Sequence, residues 1–290
     1  MVLEAMAATG TRPTSQRSTT SSMRLRSKDT RSSTMTELAM ANRLSKCFAY
    51  NRTALCSLYY RLSGYVNQLS LQVDVLSNLV KGVKAGTYTG SLGVPSKVVV
   101  LGFSFGSFVT TTLVATQPTI MDGAIFTGLG YGPTAFAPFF EAYSSRIAAT
   151  QNSAKFGELD TGFLTWVDVL ANINAYFKQP NYEVDVAEYS EIVKQPYTVG
   201  EILSLQLGLG IVADAGNFTG PVLVVTGEYD FFACAGYCPG FLEGNLTPLY
   251  SGAKSLEIAI HPDSGHSINY NKNATGAFNV ITNFLQSNAF

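Results

Sequence analysis

The chain has 290 residues, 46% of them apolar and 13% charged, with a formal net charge of −1. That length and apolar content suffice for one large domain, or for a domain carrying a lid, and the near-zero charge gives no reason to expect nucleic acid or an acidic surface as a partner. No stretch reaches the roughly 18 consecutive apolar residues of a membrane span, and a charged fraction below the usual level of about 25% points to extensive buried surface, as around an apolar pocket.

The first 36 residues or so are rich in Ser, Thr and Arg, and Arg12, Arg17, Arg24, Arg26, Lys28 and Arg31 are opposed only by Glu4 and Asp29. They contain no apolar h-region, so no secretory signal is read. The composition fits a mitochondrial transit peptide, a disordered arm or a segment that is not the true N-terminus. A disordered or atypical arm over residues 1–45 is the expectation. A cytoplasmic protein follows from it, or a secreted one if the true N-terminus is missing. Glu37 to Lys46 reads as a short helix and Ala54 to Tyr60 as a strand. Leu71, Val75, Leu76, Leu79, Val80 and Val83 recur at helical spacing and predict a helix from about Asn67 to Lys84, ended by Gly86 and Gly90.

Val98 to Leu101 form an unbroken apolar run, which suits a strand buried on both faces of a parallel sheet. A sharp turn, Gly102-Phe103-Ser104-Phe105-Gly106, follows, and Phe108, Val109, Thr112 and Leu113 continue at helical spacing. Strand, turn and helix around G-x-S-x-G is the nucleophile-elbow arrangement. Serine at a strained corner projects its hydroxyl from the sheet, the glycines avoid collision between strand and helix, and the Phe105 N–H at the helix start is placed to receive an oxyanion.

Gly123 to Thr127 reads as the next strand. From about residue 132 to 215 the character changes. Phe139, Phe140, Tyr143, Phe156, Phe163, Trp166, Val169, Leu170, Ile173, Tyr176 and Phe177 fall in helix-like segments, and Val199 to Val212 add an apolar helix. Pro221 to Val225 is another buried strand, and Asp230 lies just beyond its end, on the rim where open α/β sheets bind ligands. Cys234 and Cys238 follow closely, as a small disulfide or as two thiols; no second ligand pair with metal spacing accompanies them, so no metal is expected. Asn51, Asn217, Asn245 and Asn273 each open an N-x-T triplet. Leu256 to Ile260 reads as a last strand, followed by the turn Pro262-Asp263-Ser264-Gly265 and His266. Ala277, Phe278, Val280, Ile281, Phe284 and Leu285 mark a closing helix. His261 and His266 are the only two histidines. The order Ser104, Asp230, His266 is that of the α/β-hydrolase arrangement.

On these segments, VVVLGFSFGS, PVLVVTGEYD and HPDSGHSINYNKNATGAFNVITNFL, the chain from about Leu71 to its end resembles the α/β hydrolases, fungal members most closely. The resemblance implies an α/β-hydrolase fold: a mostly parallel sheet with helices on both faces, a core of residues 46–131 and 216–290, and a helical lid of residues 132–215. It implies a serine hydrolase with Ser104 as nucleophile, His266 as base and Asp230 as orienting acid. His266 is preferred to His261 because it follows the Ser-Gly turn of the family pattern. Glu228 and Asp263 are read as a solvated and a turn residue. No cofactor is implied. The expected partner is a small molecule with an apolar group, in a pocket lined by Phe103, Tyr131, Phe231 and Trp166. An ester is the expected substrate. A peptidase on this scaffold would want an acidic group among Glu183, Asp185, Glu188 and Glu191 to hold an amino terminus.

The chain departs from the family pattern before the elbow. Only about one convincing strand precedes it, and there is no His-Gly loop to supply a second oxyanion N–H. The N-terminal strands are therefore expected to be incomplete, with Ala54 to Tyr60 covering the apolar edge of the elbow strand. A catalytically impaired remnant or binding protein is the alternative that this departure supports.

Overall fold

The computed structural model describes residues 3–7, 62–130 and 136–290. The expected helix at Glu37 to Lys46, the expected strand at Ala54 to Tyr60 and Tyr131 lie outside them.

The strands are β1 (Leu3–Ala7), β2 (Val98–Phe103), β3 (Gly123–Thr127), β4 (Arg146–Ile147), β5 (Phe163–Thr165), β6 (Tyr197–Thr198), β7 (Val222–Gly227) and β8 (Leu256–His261). The helices are α1 (Leu69–Lys84), α2 (Phe105–Thr116), α3 (Phe136–Tyr143), α4 (Ala148–Gln151), α5 (Ser153–Phe156), α6 (Val169–Tyr176), α7 (Val184–Ile192), α8 (Val199–Ile211), α9 (Phe231–Cys234), α10 (Glu243–Leu249) and α11 (Ala274–Ser287).

The main sheet has the order β1-β2-β3-β7-β8. β2, β3, β7 and β8 are parallel, with Val100 beside Ala124, Ala124 beside Val222 and Val222 beside Leu256. The four runs read as strands are these four; β2, β3 and β7 are buried along their length, as suits strands covered on both faces, while β8 is half-buried with Glu257 exposed. Their side chains still divide by the two-residue period. Val98, Val100, Ala124, Phe126, Val222 and Val224 face one core with α1 and α2. Val99, Leu101, Ile125, Leu223 and Val225 face the other, closed by Ala277, Ile281 and Phe284 of α11. Those three residues lie on one stripe of α11, and complete burial of a side chain such as Ile281 or Phe284 contributes about 1.5–3 kcal/mol.

The edge of β2 is covered by β1, which pairs antiparallel with Leu3 beside Gly102 and Ala7 beside Val98. Within the arm of residues 1–45 expected to be disordered or atypical, these five residues form a strand. An unpaired apolar edge on β2 would leave a row of N–H and C=O groups without partners, and pairing by Leu3–Ala7 satisfies them.

α2 is buried on nearly all sides, yet it carries a run of threonines. Their hydroxyls are satisfied inside the helix: Thr110, Thr111 and Thr112 donate to the carbonyls of Gly106, Ser107 and Phe108 at 2.8–2.9 Å. The segment between β3 and β7 contains α3 to α8 and a second sheet, β4-β5-β6, that is antiparallel. The wholly helical expectation for this segment is therefore corrected: Phe163 lies in β5, and Trp166 and Phe177 lie outside helices. Among the described residues no helix is long and apolar enough to cross a membrane.

Candidate active site

Ser104 sits between β2 and α2 with φ 53° and ψ −119°, in the left-handed half of backbone space that costs a non-glycine residue of order 1–3 kcal/mol. Three contacts hold the turn in place. The Ser104 N–H donates to the Thr127 carbonyl at 2.9 Å. The Ser107 hydroxyl donates to the carbonyls of Gly102 at 2.9 Å and Thr127 at 3.0 Å. Gly102 permits the close return of the chain, since a Cβ there would lie 2.5 Å from the Gly106 carbonyl oxygen. Phe105 is the first residue of α2, so its N–H has no carbonyl partner within the helix.

Asp230 and His266 arrive from the ends of β7 and β8. Asp230 caps α9, accepting the Ala233 N–H at 2.7 Å, and is fully buried. Both Asp230 oxygens lie 2.9 Å from His266 Nδ1, and His266 Nε2 lies 2.7 Å from Ser104 Oγ. With the carboxylate as acceptor, Nδ1 carries the hydrogen and Nε2 is left as an acceptor for the serine hydroxyl. The arrangement is that of a group able to withdraw the Ser104 proton.

The loop before His266 is tied down from several directions. Asn273 donates from Nδ2 to the Pro262 carbonyl, and its Oδ1 accepts from Ser264 Oγ at 3.0 Å. His261 Nε2 lies 3.0 Å from the Asn273 carbonyl, and burial pushes the His261 imidazole down from its ordinary value. Glu228 accepts the Asp263 N–H at 3.0 Å. His261, Glu228 and Asp263 thus hold the loop. The Asn273 amide is engaged in the same work, although the sequence marks it only as a glycosylation triplet.

Aromatic rings surround the imidazole: Phe103 at 5.1 Å, Phe232 at 5.2 Å, Tyr176 at 5.3 Å and Phe139 at 5.9 Å between centroids. Of the residues expected to line the site, Phe103 is brought to His266. Phe231 packs 6.4 Å from Phe139, and its neighbour Phe232 takes the place against His266. Trp166 is one ring further out, 5.9 Å from Tyr176. Its Nε1 donates to Glu191, which also pairs with the buried Lys194. Glu183 lies 3.5 Å from Lys272, and Asp185 and Glu188 are exposed. The sequence reading missed Gly128 as well. It has φ +60°, and a Cβ there would lie 2.8 Å from His266 Cε1.

Cys234 and Cys238 are joined by a disulfide four residues apart, directly after Asp230. Replacing both by alanine is expected to lower the unfolding free energy by about 2 kcal/mol, the chain-entropy figure for so short a loop. The check is a lower urea midpoint at unchanged slope. Among the described residues no cluster of His, Cys, Asp and Glu forms a metal site.

No family model matches the sequence, and no curated protein matches it at a significant level. Solved structures do match. The monoacylglycerol lipase of Paleococcus ferrophilus aligns over 78% of this chain and 81% of its own, at 15% identity and a TM-score of 0.51. The fold is the α/β-hydrolase fold. A carboxylesterase structure from the thaumarchaeon Nitrososphaera gargenis aligns over 79% of this chain and 78% of its own, at 13% identity and a TM-score of 0.51. Identity at this level carries the α/β-hydrolase fold and leaves the activity to be argued from the site.

Proposed function

We propose that the protein is a serine hydrolase that transfers the acyl group of a carboxylic ester bearing an apolar group to water. The observation that carries this reading is the continuous hydrogen-bonded chain from Ser104 Oγ through His266 to Asp230, with distances of 2.7 and 2.9 Å. In this reading Ser104 is the nucleophile at an elbow, His266 the base and Asp230 the ionised group that holds the imidazole. In this reading the described residues of 46–131 and 216–290 form the core, and those of 132–215 form a lid over the site.

His266 Nε2 takes the Ser104 proton as Oγ attacks the ester carbonyl. The carbonyl oxygen becomes an anion that the Phe105 N–H stabilises. His266 then returns the proton to the leaving alcohol, and water repeats the sequence on the acyl-enzyme. Asp230 keeps its charge throughout. An amino-terminal peptidase is less well supported, because Glu191 and Glu183 are each already paired with a lysine.

One observation favours a second reading, a slow enzyme or binding protein. On the side of β2 away from β3 the neighbour is the antiparallel β1, whose last residue lies beside Val98, at the end of β2 away from Ser104. By the family resemblance, a loop following a parallel strand in this position brings the second oxyanion donor. Loss of one such donor costs about 10²–10³ in rate.

Pre-steady-state hydrolysis of 4-nitrophenyl butyrate tests the hydrolase reading. The hydrolase reading expects a burst of nitrophenol equivalent to one per chain. Absence of any release above the Ser104→Ala background contradicts it.

A further inference from the structure

Among the described residues the rings against His266 are apolar but for one polar group, the hydroxyl of Tyr176. That hydroxyl lies 2.6 Å from the hydroxyl of Tyr143. Tyr143 is buried and Tyr176 is partly exposed. Burial pushes both phenols upward from their ordinary value, so both keep their hydrogens near neutral pH. Two phenols bring two hydrogens, and their mutual bond uses one. Among the described residues neither hydroxyl has another hydrogen-bond partner. Among the described residues one O–H is therefore left to donate, within an aromatic surrounding where an unmet donor carries a desolvation cost.

The pair is held at a fixed distance from the imidazole. Asp168 caps α6 by accepting the Ala171 N–H at 2.9 Å, and Tyr176 is the last residue of that helix. The Tyr176 carbonyl accepts the N–H of Ser267, the residue after His266, at 2.9 Å. Gly265 packs directly on it, since a Cβ there would lie 2.8 Å from the Tyr176 carbonyl oxygen. A group bound at Ser104 would therefore meet an aromatic wall with one polar contact beyond the imidazole, and such isolated polar contacts set the orientation of an apolar ligand.

We propose that the Tyr143–Tyr176 hydroxyl pair is a specificity site that receives an oxygen on the apolar arm of the substrate, and that the substrates are esters of aryl acids carrying a ring oxygen substituent. The aryl part follows from the four surrounding rings, which favour offset and edge-to-face contacts with another ring. The assignment rests on Ser104 as the acylated residue, and its test is a binding measurement that does not need turnover.

Trp166 is the single tryptophan of the chain and lies 5.3 Å from the Tyr143 ring, so its fluorescence reports occupancy of this place. The Ser104→Ala protein is titrated with methyl 3-(4-hydroxyphenyl)propanoate and with methyl 3-phenylpropanoate. The hydroxylated ester is expected to bind about tenfold tighter, the worth of one neutral hydrogen bond. Adding Tyr176→Phe, or Tyr143→Phe where the former does not fold, is expected to abolish the difference between the two esters. Equal affinities in Ser104→Ala, a preference that survives both phenylalanine variants, or no binding of either ester would each overturn the proposal. The expected binding pattern together with no turnover by the unmodified protein would retain the specificity site and refute the hydrolase reading alone.

Discussion

Asp230→Asn is expected to lower kcat on a chromogenic ester by about 10⁴-fold, with the fold preserved. The asparagine Oδ1 can still accept the Ala233 N–H that the aspartate accepts at 2.7 Å, so the cap of α9 survives. What changes is the imidazole. The amide nitrogen that replaces Oδ2 presents a hydrogen 2.9 Å from His266 Nδ1, which favours the tautomer with hydrogen on Nε2 over the one that Oδ1 supports from the same distance. Ser104 Oγ, 2.7 Å away, then faces a donor instead of an acceptor. The stabilising charge for the imidazolium is lost at the same time. Steady-state kinetics with a thermal unfolding curve as control decide the matter; a loss below tenfold would mean that Asp230 does not orient the base.

Gly128→Ala is expected to lower kcat by about 10²-fold, the usual cost of displacing a catalytic group by about an ångström. Its effect on stability should be only about 1–2 kcal/mol, for an alanine held at a left-handed φ. The new methyl would lie 2.8 Å from His266 Cε1 and 2.9 Å from Nδ1, with Phe103 Cε2 at 3.3 Å behind it. The imidazole, bonded to Asp230 on one side and Ser104 on the other, cannot step aside and keep both bonds. Measuring kcat and the urea midpoint on one preparation separates the two effects. Full activity in the variant would show that the ring tolerates displacement.

The two residues differ in how they are written in the sequence. Asp230 is legible because a buried apolar run, a turn and an acid in that order place a carboxylate at a strand end. Ser104 and His266 are legible for the same reason, helped by there being only two histidines to choose from. Gly128 carries no local signal. Its requirement comes from an imidazole that the chain delivers only after β8, so nothing near Gly128 announces it. The Tyr143–Tyr176 contact is hidden in the same way, as two entries in a long run of aromatics whose spacing says only that helices form.

β2, β3 and β7 were readable because burial on both faces leaves them almost wholly apolar, whereas β8, half-buried with Glu257 exposed, was readable from its remaining apolar positions. β4, β5 and β6 are two or three residues long, too short to show a period, and their pairing is set by the packing of the segment between β3 and β7. β1 is a strand because β2 presents an open edge, which the composition around Leu3–Ala7 does not foretell. The exchange of Phe231 for Phe232 against His266 is a matter of phase. Asp230 caps α9, and the helix that begins there turns the second phenylalanine toward the imidazole, whereas composition alone cannot distinguish neighbours of the same type.

The central claim is that Ser104 is an activated nucleophile, and labelling with a fluorophosphonate probe tests it most directly. The reagent phosphonylates a serine only where a base removes its proton and the oxyanion is supported. The account predicts one adduct per chain, mapped to Ser104 by peptide mass spectrometry and absent from Ser104→Ala. A folded protein that takes no label, or takes it equally in Ser104→Ala, would contradict the account.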